Sequence, residues 1–397
     1  MTWGCQVLDW QQPDIMKKTN NEPMSALTEQ ASEKNAQQGR KAKEIFLGID
    51  AHVSRYLVAR KLDGTAVQAA QSMSFEGLLV FAQKQLSLGE KVYAVYEAGP
   101  LGYVLYRRLK ALGIEAHVSA PEPLERGTPK RKTDKFDARK LCGRLYSYLG
   151  GDRHAMRIVR VPTPEQEQLR AQSRQYDQLM ASRKAIAAQG RSLLLSQGYR
   201  IRGNWWRPRA YGALKGLIPA WIQEMLETWR YDLKLLDSQI VELKKRLSQS
   251  LQGERPKGFG ALSLVQLNRE VRDWNRFSNP RKVGCYGGLV GSEYSSGPRQ
   301  RLGPITKVGS PRVRAIVVEM VWRLLLFQPN YGPILKWREQ LCGPNKGLKK
   351  QAVIAVARQL LVDIWRMATG RISAQQLGLI MVPGVSESKQ AQATTVR

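Results

Sequence analysis

EIFLGID (44–50), SRYLVAR (54–60) and KVYAVYE (91–97) decide how the first half of the chain folds. The first is an apolar run that ends in a carboxylate, Asp50. The second alternates apolar and polar residues and leads to Asp63-Gly64, a dipeptide suited to a tight hairpin turn. The third is a short buried-type run that ends in Glu97. Between them, Ala66 to Met73 can return as a third strand, and Phe75 to Leu86 has helical spacing. After Glu97, Gly99-Pro100 opens the helix LGYVLYRRLKALG (101–113), and IEAHVSA (114–120) reads as another strand. A hairpin followed by alternating helices and strands predicts a mixed α/β sheet.

Helical periodicity dominates the rest. TDKFDARKLCGRLYSYL (133–149) predicts a helix capped by Thr133. One long helix runs from near Glu165 to about Gln197, and a second from about Ala220 to Leu251. In the second, Ile222, Leu226, Trp229, Leu233, Leu236, Ile240, Leu243 and Leu247 form a heptad-like seam. An intrachain helical hairpin and a dimer-forming coiled coil both satisfy it. Gly198 to Pro219, between the two helices, is rich in Trp and Arg. From about Gly253 the chain is basic and punctuated by Gly and Pro, with an apolar-rich helix near Leu348 to Ala368. The predicted plan is a flexible arm (1–42), a sheet domain (43–160), a helical spacer (161–252), a C-terminal domain (253–382) and a polar tail (383–397).

Lys plus Arg number 63 against 33 Asp plus Glu, a formal net charge of +30. A protein this basic needs a polyanionic partner, either nucleic acid or an anionic membrane surface. The most apolar window, Ala315 to Phe327, carries Glu319 and Arg323 and falls short of the roughly 20 apolar residues a span requires. It predicts a buried helix. The first residues lack the basic start and apolar stretch of a secretory signal. Cys5, Cys142, Cys285 and Cys342 are too scattered for a zinc cage and too few for a disulfide framework, so they read as reduced, buried thiols. His52, His117 and His154 make no ligand cluster.

The positive charge is concentrated. From Arg183 to Lys215 there are eight basic residues and no acidic ones, with Tyr199, Trp205, Trp206 and Tyr211 interleaved. From Pro298 to Lys350 there are eleven basic residues against two acidic. Basic side chains bind backbone phosphates and aromatic rings stack on unpaired bases. Candidate nucleic-acid contacts are therefore Trp205, Trp206, Arg207 and Arg209, with Arg299, Arg301, Lys307 and Arg312 further on. Lys130, Arg131, Lys132 and Arg139 add a third group. Trp229 and Trp322 are expected in the core.

Four carboxylates stand out by position. Asp50 and Glu97 end strands, flanked by Gly48, Ala51, Ala98 and Gly99, small residues that leave room for a ligand. In open α/β sheets functional groups collect beyond the carboxyl ends of strands. Asp134 and Asp137 are three apart on one helix and share a face. Clustered carboxylates repel, by roughly 4 kcal/mol for two charges about 4 Å apart. A hard divalent cation, Mg²⁺ or Mn²⁺, relieves that repulsion. Each acid taken alone also suits a helix cap or a surface ion pair. The stretch GLVGSEYSSGPRQRLGPITKVGS (288–310) sets hydroxyls beside arginines. That composition suits phosphate binding or attack on phosphate, and equally a hydrated loop.

Taken in order, FLGID, YEAGPLGY, RKTDKFDARKL, a helical spacer and RFSNPRKVGCYGGLVGSEYSSGPRQRLGPITKVGSPRVR resemble the DEDD transposases of bacterial insertion sequences, the family that includes the Piv-type DNA invertases. The resemblance spans about residues 44–370. It implies an α/β plus α architecture: a RuvC-like (RNase H-like) domain, a coiled-coil spacer and a mainly helical transposase domain. It implies that Asp50, Glu97, Asp134 and Asp137 hold Mg²⁺ (or Mn²⁺), and that Ser296 is the nucleophile, with Ser295 beside it. It further implies DNA partners, a homodimer or homotetramer, a cytoplasmic location with the nucleoid when DNA is bound, and, as in several relatives, a structured non-coding guide RNA (a bridge RNA).

The chain departs from the family pattern in places. Gly291 stands where proline is common, Ser310 where Asn is common, and the usual Pro-Gly-Ile-Gly is Lys257-Gly258-Phe259-Gly260. The segment before Glu44 is unusually long. Two other classes compete: a metal-dependent nuclease such as a junction resolvase, which needs the carboxylates but no serine, and a nucleic-acid-binding relative without catalysis.

Overall fold

A computed structural model describes residues 41–121, 134–293 and 302–384, with the side chains of 134–136 and 302 outside that description. Nearly all of the expected arm and tail therefore lies outside the described residues. The chain divides into two compact units, Met1–Val161 and Pro162–Arg397.

The first unit contains β1 (Ala42–Ala51), β2 (Tyr56–Leu62), β3 (Gln71–Met73), α1 (Phe75–Leu88), β4 (Gly89–Glu97), α2 (Val104–Ala111), β5 (Glu115–Ser119) and α3 (Asp134–Leu149). The strands form one sheet in the order β3-β2-β1-β4-β5. β1 pairs antiparallel with β2 and parallel with β4, and β4 pairs parallel with β5. The sheet is buried on both faces, which is why β1 reads as an unbroken apolar run. Ile45, Leu47 and Ile49 face a core shared with Leu78 and Ala82 of α1 and Leu105 and Leu109 of α2. Phe46, Tyr93 and Val95 face Ala138, Leu141, Cys142 and Leu145 of α3. The third strand is shorter than the sequence predicts. Pairing is confined to Gln71–Met73, while Gln68 makes a loop hydrogen bond, its N–H donating to the Arg60 carbonyl.

The second unit begins with α4 (Pro164–Ser196), α5 (Pro208–Lys215) and α6 (Ala220–Gln249). Thr163 and Gln166 cap α4 reciprocally, with Pro164 in the first turn. α4 and α6 are antiparallel. At one end, Leu194 packs with Ile222 and Leu226. At the other, Arg269 donates to both the Leu169 carbonyl and the Ser250 hydroxyl. The seam residues Ile222, Leu226, Leu233, Ile240, Leu243 and Leu247 are buried within the chain. Each such side chain contributes about 1.5–3 kcal/mol. Of the two arrangements the seam allows, the described contacts are those of an intrachain hairpin.

The remaining elements are β6 (Arg255–Pro256), α7 (Ala261–Val271), α8 (Pro280–Gly287), β7 (Gly291–Glu293), β8 (Leu302–Ile305), α9 (Pro311–Phe327), α10 (Gly332–Lys336), α11 (Arg338–Cys342), α12 (Lys346–Ala368) and β9 (Met381–Val382). Their core is built on α9 and α12, where Val317, Val321 and Leu324 meet Val356, Leu360 and Ile364. Buried within it, the Tyr331 hydroxyl donates to the Asp363 carboxylate at 2.6 Å.

Three expectations are corrected here. α9 is buried along one stripe only, and Trp322 is 43% exposed because it lies on the opposite side. Cys142 is buried, but Cys285 and Cys342 are exposed. Trp205 and Trp206 are buried inside the hairpin rather than free to stack on bases. The Trp205 ring lies so close to Gly190 that a Cβ there would sit 2.1 Å from it. Gly190→Ala is therefore expected to destabilise the second unit by about 1–3 kcal/mol, read as a lowered Tm in thermal unfolding followed by circular dichroism.

Candidate active site

Side chains alternate between the faces of a strand. Phe46, Gly48 and Asp50 therefore share one face of β1, and Tyr93, Val95 and Glu97 share a face of β4. The parallel register sets Phe46 beside Tyr93 and Gly48 beside Val95. Phe46, Tyr93 and Val95 all pack against α3, so Asp50 and Glu97 project on the α3 side of the sheet, at the carboxyl ends of adjacent strands.

Helix α3 lies directly on β1. A Cβ at position 48 would sit 2.3 Å from the Ala138 carbonyl oxygen and 2.3 Å from the Cys142 nitrogen. One turn further along the helix, the Cys142 thiol donates to the Phe46 carbonyl at 3.3 Å. Beyond it, Tyr146 meets the Phe46 ring edge-on, with centroids 5.2 Å apart. The helix thus descends the strand as its residue numbers rise. Its first turn, with Asp134 and Asp137, stands at the end of β1 where Asp50 is. Gly48 does not leave room for a ligand, as its size suggested; its missing side chain is what admits the helix.

Three elements therefore converge on one edge of the sheet. Asp50 is partly buried, Glu97 is exposed and Asp137 is half-buried, while the Asp134 carboxylate lies outside the described residues. His52, just past the end of β1, places Nε2 3.0 Å from Asp50 Oδ2. The sequence places His52 in no ligand cluster, yet its position two residues after the strand-ending acid is the signal for this contact. Among the described residues no three His, Cys, Asp or Glu side chains are grouped closely enough to hold a metal ion. The donor set is otherwise oxygen-rich, of the kind that suits a hard cation.

The other predicted residues fall into three groups. Lys130, Arg131, Lys132, Ser295, Ser296, Arg299 and Arg301 lie outside the described residues. Arg139, Arg209 and Lys307 are exposed. Arg207 is engaged, its guanidinium 3.3 Å from Asp237. Arg312 is corrected outright: it is committed within the chain, 2.6 Å from Asp177 and 3.3 Å from Glu270. Glu270 is buried and also meets Arg170 and Arg174, so Arg312 is part of the joint between α4, α7 and α9.

The segment carrying the two serines joins β7 to β8, and the base of that ribbon is tightly built. Arg314 donates to the Gly287 and Lys307 carbonyls at 3.0 and 3.3 Å. Gly309, with φ +151, leaves no space for a side chain: a Cβ would lie 2.6 Å from the carbonyl oxygens of Cys285 and Tyr286. Lys307 itself has φ +55, a strained conformation for a residue with a side chain.

These features define a strongly basic two-unit protein with a carboxylate-edged α/β sheet and a helical second unit. Residues 254–332, from β6 into α10, match the model of the Transposase IS116/IS110/IS902 family. A Sinorhizobium fredii protein named as a transposase, y4rJ, is 31% identical over 300 residues, covering 68% of this chain and 76% of that protein. A second from the same bacterium, y4qE, is 32% identical over 243 residues, 59% of this chain and 58% of its own length. The transposase for insertion sequence element IS1111A of Coxiella burnetii is 25% identical over 281 residues, 66% and 74% of the two chains. The chain belongs to the IS116/IS110/IS902 family of transposases.

Burial pushes the Cys142 thiol up to about 12. An ordinary thiol titrates near 8.5, so the folded protein keeps Cys142 protonated where an unfolded chain would release the proton. Its contribution to stability is complete below about pH 8.5 and is lost as pH rises from there toward 12. At pH 8, maleimide or iodoacetamide is expected to label Cys285 and Cys342 and to spare Cys142. Gly48→Ala, which forces α3 off the strand, is expected to cost about 1–3 kcal/mol and to make Cys142 reactive. Peptide mapping of the labelled protein reads both outcomes, and a silent Cys142 in the variant would contradict the close approach of α3.

Proposed function

We propose that the chain is a DNA transposase that cuts and exchanges strands through a transient serine–DNA linkage, with a RuvC-like (RNase H-like) first unit carrying the DEDD carboxylates. The observation that carries this reading is the convergence of Asp50, Glu97 and the first turn of α3 on one edge of the sheet. The strand order β3-β2-β1-β4-β5, antiparallel at one side and parallel at the other, supports the RuvC-like assignment. Membership in the transposase family supports DNA as the substrate.

Asp50, Glu97, Asp134 and Asp137 would hold Mg²⁺ or Mn²⁺. A cation on these oxygens would neutralise charge at the scissile phosphate and lower the barrier to attack. His52 Nε2, 3.0 Å from Asp50 Oδ2, would help to orient the Asp50 carboxylate. The Ser296 hydroxyl attacks phosphorus. An Oγ–P bond forms, the bond to the departing DNA oxygen breaks, and the serine proton passes to water or to that oxygen. The resulting phosphoserine conserves the phosphodiester, so a DNA hydroxyl can reverse the step without ATP. Ser296 and the carboxylates belong to different units of the chain, so catalysis requires both units to meet one phosphate. A homodimer or homotetramer around paired DNAs meets that requirement.

Arg139 and Lys307, with Lys130, Arg131, Lys132, Arg299 and Arg301, are proposed phosphate contacts. The net charge of +30 also suits a structured guide RNA as partner. Among the described residues no helix is long and apolar enough to cross a membrane. The reading implies a cytoplasmic site of action on the nucleoid.

The test is a covalent adduct assay with the native flanking DNA, resolved on denaturing gels and mapped by mass spectrometry. Wild type and Ser295→Ala are expected to form an adduct at Ser296. Ser296→Ala, Asp137→Asn and chelation of divalent metal are each expected to lower strand transfer on the order of 10³-fold or more. Cleavage without an adduct in any variant would replace this mechanism with that of a water-using nuclease.

A further inference from the structure

We propose that the closed end of the α4–α6 hairpin is a non-catalytic docking surface for double-stranded DNA, made of arginines that buried tryptophans hold in place. The proposal rests on the reading of the chain as a DNA-processing transposase.

Residues 178–223 contain eight Lys and Arg and no Asp or Glu. Two of the eight are committed, Arg183 and Arg207, both to Asp237 of α6 at 3.0 and 3.3 Å. Arg191, Arg200, Arg202 and Arg209 are exposed. Among the described residues these four make no ion pair; Arg191 reaches only the Gly203 carbonyl, at 3.5 Å.

The segment that carries these cations is firmly built. Trp205 Nε1 donates to the Ala187 carbonyl at 3.0 Å, and its ring fills the space over Gly190. Trp206 Nε1 donates to Asp237 at 3.0 Å. The two indoles meet edge to face, 6.0 Å apart. Arg230 donates to the Trp206 carbonyl and stacks 4.3 Å over Tyr211. The tip is thus a prefolded cap, and its unpaired guanidiniums repel one another until a polyanion neutralises them.

The same burial decides the kind of polyanion. Surfaces for single strands stack bases on exposed aromatic rings. Here Trp205, Trp206 and Tyr211 are buried and Tyr199, next to Arg200, is partly buried against the same core; the exposed ring of the segment, Trp221, stands at the start of α6 rather than among the arginines. What the tip offers is contact with phosphates, which orients a duplex without reading its sequence.

The test measures binding of the full-length protein to a short labelled duplex of arbitrary sequence, by fluorescence anisotropy across a salt series with chelator present. The variant Arg200→Gln/Arg202→Gln/Arg209→Gln is expected to reduce the slope of log K against log salt by about 2–3. Duplex affinity at physiological salt is expected to fall about 10-fold or more, with an unchanged thermal melt. Arg202→Gln alone is expected to reduce the slope by about 1, which keeps the test decisive if the triple variant does not fold. Ser296→Ala is expected to bind like wild type, so loss of the covalent adduct and loss of docking are separate results. An unchanged slope in a folded variant overturns the proposal. So does a variant whose affinity for structured RNA falls while its affinity for duplex DNA does not.

Discussion

Helix α3 reaches the end of strand β1 through a gap the width of one missing side chain. At Gly48 the helix backbone occupies the place where any other residue would put its Cβ, 2.3 Å from two backbone atoms. Packed interiors do not yield by an ångström without cost. The consequences run outward from this contact. The first turn of α3, with Asp134 and Asp137, is held level with Asp50. The parallel register of β1 and β4, with Ile49 beside Tyr96, then brings Glu97 to the same face and the same end of the sheet as Asp50. Cys142, pressed against the strand, is kept from ionising. A rigid edge suits phosphoryl chemistry, in which positioning and charge neutralisation supply most of the catalysis.

The second unit follows a different rule. It is rich in cations, and its few acids act as fasteners. Glu270, buried between helices, meets Arg170, Arg174 and Arg312. Asp237 accepts from Trp206 and pairs with Arg183 and Arg207. Glu270 is buried, and removing one partner of a buried pair typically costs about 3–5 kcal/mol; Asp237 is only partly buried. Each acid joins several elements at once. Because the acids are outnumbered, other cations remain on the surface.

The identity of the chain and the geometry of its site rest on different halves of the molecule. The family match lies at 254–332 in the helical unit, where Arg314 and Gly309 brace the ribbon that leads into the serine segment. The carboxylate edge lies in the sheet unit.

The sequence by itself determined the mixed sheet, the strands ending in Asp50 and Glu97, the helix of Asp134 and Asp137, the two long helices and the family resemblance. Those properties follow from local spacing: a period of two or of 3.6, and a terminal acid. The expected Thr133 cap lies outside the described residues. Tertiary structure alone decided which side chains are available. Trp205 and Trp206 sit among arginines in the sequence but bond to Ala187 and Asp237, 18 and 31 residues away. Arg312 is occupied by acids far along the chain, Trp322 faces outward from an apolar helix, and Gly48 admits a helix rather than a ligand. A side chain's partner depends on which distant backbone passes beside it, and no local pattern carries that information.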